Sequence, residues 1–121
     1  MPGRRKLFLS LFQAEIEDSR EDADFLVLQN KKRFQNNEIT NYVYNENDAF
    51  LSKESSGLKK IADFIGTFSA EDYENTDELA AALDHKLRKQ VEEFDDPEAV
   101  YGIIKRKLQK VRLYVEDRQN G

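Results

Sequence analysis

The sequence contains no cysteine. That absence removes disulfides, thiolate zinc sites, iron–sulfur clusters and cysteine nucleophiles, and it fits a reducing, cytoplasmic setting. Helix-breaking residues are nearly as scarce. Proline stands only at Pro2 and Pro97, and glycine only at Gly3, Gly57, Gly66, Gly102 and Gly121. Between Arg4 and Ser56 there is neither, although turns and strand connections usually recruit one or the other. No two glycines fall close enough together to form a phosphate-cradling loop. No stretch approaches the roughly 18 to 20 continuous apolar residues of a membrane span. Arg4-Arg5-Lys6 followed by Leu7 to Phe12 imitates the opening of a secretion signal. The run continues into Gln13, Glu15, Glu17 and Asp18 with no small-residue cleavage site, so it does not read as one.

What is present suits one folded domain spanning residues 1–121, with the ends (1–5 and 117–121) expected to fray. Charged residues make up 36% of the chain and hydrophobic ones 39%, and eight Phe with five Tyr supply bulky core material. The scarcity of breakers predicts long helices, hence an all-α fold: a bundle of four or five helices, mostly antiparallel.

The helices can be placed by their stripes. Phe8, Phe12, Ile16, Ala23, Leu26 or Val27, Asn30 and Phe34 recur at helical steps, as one helix or, if Ser19 caps a second, as two. Gln35-Asn36-Asn37 is the corner. Ile39, Tyr42 or Val43, Phe50 and Leu51 form the next stripe, ending near Ser55-Ser56-Gly57 where glycine can adopt the left-handed closing conformation. A shorter helix carries Leu58, Ile61, Ala62 and Ile65 up to Gly66, and Ser69 to Asn75 reads as a loop. Thr76 before Asp77-Glu78 marks a start for Leu79, Leu83, Leu87 and Val91. Asp96 as cap, Pro97 at the first position and Glu98 open the last helix, whose stripe is Val100, Ile104, Leu108, Val111 and Val115. Gly102 inside that helix suggests a close helix–helix approach. A competing reading makes Phe25-Leu26-Val27-Leu28 and Tyr42-Val43-Tyr44 strands, since both are β-prone in composition.

Catalytic chemistry has little to work with. His85 is the only histidine, and its neighbour Asp84 points about 100° away on a helix, so it cannot orient the ring as a triad acid would. A di-iron Glu-x-x-His pair fails because Ala82 stands three residues before His85. The oxygen-rich stretch Glu71 to Glu78 lacks the glycine of a calcium loop. No catalytic, cofactor-binding or metal-ligating residue is therefore assigned.

Charge is the strongest pattern. Glu15, Glu17, Asp18, Glu21, Asp22 and Asp24 surround Arg20 alone, and residues 67–84 carry acids but no base. The last helix answers with Lys105, Arg106, Lys107, Lys110 and Arg112. These five either complement acidic faces inside the bundle or form a basic surface for nucleic acid or an acidic partner. The second pattern is the apolar cluster Leu7, Phe8, Leu9, Leu11 and Phe12, which covers more of a helix circumference than one face needs. It marks either a central buried helix or an interface for a protein partner or a second copy, with Phe8 and Phe12 at the contact. The leading functional expectation is a non-catalytic helical interaction module (an adaptor, regulator or assembly subunit), as a homodimer or bound to a protein partner, with no membrane. A nucleic-acid-associated protein using the last helix and an unrecognised enzyme are the alternatives.

Overall fold

A computed structural model describes residues 2–120, with side chains over residues 3–116. It contains four helices: α1 Pro2–Gln35, α2 Asn41–Ile65, α3 Thr76–Glu93 and α4 Glu98–Asn120, with one short 3-10 turn at Ala70–Asp72. No strand occurs among the described residues. The fold is an all-α bundle, as the shortage of breakers implies. The fraying expected at 1–5 and 117–121 falls partly on residues outside those described. Within them, α1 is helical from Pro2, and Arg5 donates a hydrogen bond to the carbonyl of Tyr73.

Helices α1 and α2 form a long antiparallel hairpin. Gln13 Nε2 donates to the Ala62 carbonyl at 3.2 Å, Ser55 Oγ donates to Asp24, and Asn30 Nδ2 donates to the Tyr44 carbonyl at 3.1 Å. The shielded residues along the hairpin step by three and four in both helices. In α1 they run Ile16, Arg20, Ala23, Val27, Asn30 and Phe34; in α2 they run Tyr44, Asp48, Leu51, Ser55, Leu58, Ala62 and Ile65. This is a coiled-coil spacing, and it places a single narrow seam between the two helices.

Helices α3 and α4 cover only the base of that hairpin. They pair antiparallel, joined by Arg112 to Asp77 at 2.8 Å and Tyr101 to Asp84 at 2.8 Å. Phe8, Phe12, Ile16, Leu58, Ile61, Leu79, Leu83, Leu87, Val100 and Ile104 are fully buried there. From Phe25 to Leu51 the only buried residue is Asn30. That half of the hairpin is a two-helix arm. Its cross-helix contacts include the Phe34–Tyr44 ring stack at 4.6 Å and the Asn30–Tyr44 and Asn30–Asn47 hydrogen bonds.

Several local expectations change. Ser19 does not interrupt α1, and both β-prone segments are helical. Phe25 to Leu28 lie in the interior of α1, and Tyr42 to Tyr44 form the first turn of α2, where Val43 N donates to Thr40 Oγ1 and Tyr44 N to the Thr40 carbonyl. Helix α2 runs straight through Gly57, which is buried because α4 passes there: a Cβ at Gly57 would lie 3.1 Å from Val100 Cγ2 and 3.1 Å from Asp96 Cγ. At Gly102, by contrast, the nearest outside atom is the end of Arg106 at 3.9 Å. The left-handed positions belong to Asn37 (φ 60°) and Asp95 (φ 52°) rather than to glycines. Each ends its helix with the same pair of bonds, Glu38 N to Arg33 O and Asn37 N to Phe34 O after α1, Asp96 N to Val91 O and Asp95 N to Glu92 O after α3. Asn75, not Thr76, caps α3 by accepting from Glu78 N at 2.8 Å. Asp96 does not cap α4; its carboxylate turns onto Lys60 of α2 at 2.9 Å.

Candidate interaction surface

The apolar cluster at the start of α1 divides. Phe8 and Phe12, expected at a contact between chains if the cluster is an interface, are buried completely within the single chain and belong to its own core. Their positions, four apart, both face the base of the bundle, where α2, α3 and α4 supply the rest of the core. Leu9 and Leu11 are half-buried against that core, and Leu7 is half-buried too. Leu11 also lines a shallow groove of about 580 Å³ with Glu15, Lys110, Val111, Leu113 and Tyr114.

The large exposed apolar side chains are concentrated elsewhere. Phe25, Leu26, Leu28, Tyr42, Val43 and Phe50 all lie on the arm, with Phe25 and Leu28 each 58% exposed and Tyr42 73% exposed. The cause is geometric. Four consecutive apolar residues, Phe25 to Leu28, sweep about 300° around a helix, whereas a single seam covers one side. Only Val27 of the four turns towards α2; the other three have nothing to cover them. On α2 the expected stripe holds at Leu51 but not at Tyr42, Val43 or Phe50, which are exposed, while Tyr44 and Asp48 are shielded beside α1. The β-prone composition of these two segments was the available signal, and its meaning is exposed apolar surface on a helix.

Of the five basic residues of α4, Lys105, Arg106, Lys110 and Arg112 are exposed and Lys107 is half-buried, and three of the five pair with carboxylates of the same chain. Lys107 and Lys110 both donate to Glu15 Oε1 at 2.9 Å, and Arg112 pairs with Asp77 at 2.8 Å and Glu116 at 3.5 Å. Lys105 lies 5.8 Å from the Tyr101 ring centre, and Arg106 is exposed. One residue of each acidic segment, Glu15 and Asp77, thus pairs with the basic helix. The two lysines, Lys110 before Lys107, hold the Glu15 carboxyl below the usual glutamate range. Burial, and then its hydrogen bond to Asp84, push the Tyr101 phenol up from its ordinary value. Asp84 is therefore engaged by Tyr101, while His85 is exposed. No group of three or more His, Asp or Glu able to hold a metal occurs among the described residues, and no helix is long and apolar enough to cross a membrane.

No family model matches the sequence, and neither a curated protein nor a solved structure resembles it significantly.

Proposed function

We propose that this chain is a non-catalytic helical interaction module, an adaptor, regulator or assembly subunit that engages another protein through the α1–α2 arm. One observation carries the reading: Phe25, Leu26 and Leu28 of α1 and Tyr42, Val43 and Phe50 of α2, six large apolar side chains, are exposed on a two-helix projection that stands clear of the core. Exposed apolar helix faces of this kind are commonly covered by another helix. The nucleic-acid alternative draws on the basic last helix, but three of its five cations are committed to carboxylates of the same chain. The exposed arm needs no such rearrangement to bind.

The test is affinity capture from the native cell with the wild-type chain and a Val43→Asp, Phe50→Asp variant, identified by mass spectrometry. The proposal expects a discrete protein other than the bait, recovered by the wild type and lost with the variant, while helicity and thermal stability are retained. Equal recovery by both forms would assign the binding to another surface.

A further inference from the structure

The outer side of α1, turned away from α2, carries its own stripe. Asp18, Glu21, Phe25, Leu28, Lys32 and Gln35 recur at alternating steps of three and four, and all six are exposed. Alternating steps of three and four are the spacing by which one helix meets another in a coiled coil. The stripe is also ordered by charge: acids at one end, apolar residues at the centre, a base at the other end.

That order is self-complementary in one orientation only. If a second copy lies antiparallel on the same face, with the two-fold axis between Phe25 and Leu28, Phe25 meets Leu28 of the second copy. Glu21 then meets Lys32 of the second copy, and Asp18 meets Gln35 of the second copy. Because the contact is isologous, each of these pairs occurs twice. A parallel arrangement would instead set Glu21 against Glu21 and Lys32 against Lys32, which repel. Glu21 and Lys32 form no ion pair within the chain among the described residues, so both remain available.

We infer that α1 pairs antiparallel with α1 of a second copy through Glu21, Phe25, Leu28 and Lys32, joining two arms into a row of four helices with the two α1 helices at its centre. The inference rests on reading the arm as an interaction surface, and it names one occupant for one side of it. Val43 and Phe50 lie on the other helix and stay outside this contact. The paired stretch from Asp18 to Gln35 is about 27 Å long at 1.5 Å per residue. An interface built mainly from one helix of each copy is at the small end of specific association, so dimerisation depends on concentration.

Sedimentation equilibrium on purified chain up to about 0.5 mM tests it, with circular dichroism on every variant. The wild type dimerises. Glu21→Lys alone and Lys32→Glu alone each weaken the dimer by at least about tenfold, because each sets two like-charged pairs face to face. The Glu21→Lys, Lys32→Glu double variant recovers it, and an equimolar mixture of the two single variants forms heterodimer. A wild type that stays monomeric, a dimer indifferent to the single reversals, or a double variant and mixture no tighter than the singles would each overturn the pairing. None of these results touches the capture test on Val43 and Phe50, so failure here is separable from failure of the interaction reading.

Discussion

Gly57 and Gly102 both sit within helices, yet a methyl group added to each would meet different surroundings. At Gly102 it would enter nearly open space, and helix propensity alone then decides the outcome. Gly102→Ala is expected to stabilise the chain by about 1 kcal/mol. At Gly57 the same methyl would press on Val100 of the passing helix and on Asp96 just before it, offsetting that gain. Urea unfolding of the two variants checks the contrast; equal gains at both positions would contradict the close approach of α2 and α4. From sequence alone that approach is expected at Gly102, where the structure leaves nearly open space. A glycine inside a helix signals a missing side chain but does not identify the neighbour, which depends on tertiary packing. Asn37 and Asp95 teach the same lesson at helix ends. Left-handed closure was expected of glycine, and the residues that adopt it are an amide and a carboxylate able to tolerate it.

At the scale of elements, the hairpin divides into a covered base and an uncovered arm, and single substitutions should separate them. Phe12→Ala removes a fully buried ring and should cost about 3 to 5 kcal/mol. Phe50→Ala removes a half-exposed ring on the arm and should change stability by less than about 0.5 kcal/mol in the monomer. Chemical denaturation at low protein concentration gives both values, and a large loss at Phe50 would mean that the arm packs against something within the chain. The α4 stripe was legible in the sequence: Val100, Ile104, Leu108, Val111 and Val115 are all buried. So was the corner after Gln35, where polar residues interrupt the stripe. The phase of the first half of α2 was not. Tyr42 and Phe50 are as apolar as Tyr44 and Leu51, so periodicity alone could not decide which pair faced α1. The seam is also part polar, through Asn30, Asp48 and Ser55, which blurs the contrast on which a stripe depends. Buried Asn30, bonded to both Tyr44 and Asn47, gives the arm a fixed register despite its thin apolar content.

Across the whole molecule, the separation of charge along the sequence becomes pairing in space. Glu15 receives both Lys107 and Lys110, and its carboxyl titrates below the usual range in consequence. A depressed folded pKa means that the ion pair stabilises the fold above the unfolded value of about 4.3. The contribution is lost as pH falls through the lower, folded value. Glu15→Gln should therefore be less stable than wild type by roughly 1 kcal/mol at pH 7, with the gap narrowing in acid below about pH 4.3. Thermal unfolding across that range reads the difference, and a gap that widens in acid would contradict the assignment. The helical class was readable because it follows from what the chain lacks. The candidate surface was harder to find, because apolar content alone does not say which residues a fold will cover. Leu7 to Phe12 and Phe25 to Leu28 look equally apolar in sequence, and only the placement of α3 and α4 over the base distinguishes them. The central claim is that the arm is an unfinished surface completed by association. Amide hydrogen exchange on the purified chain, dilute and concentrated, tests it most directly. The account predicts that, when dilute, amides in residues 25–51 exchange faster than those in 79–91, and that concentration slows exchange in the arm while leaving the core unchanged. Arm amides as protected as the core when dilute, and indifferent to concentration, would contradict it.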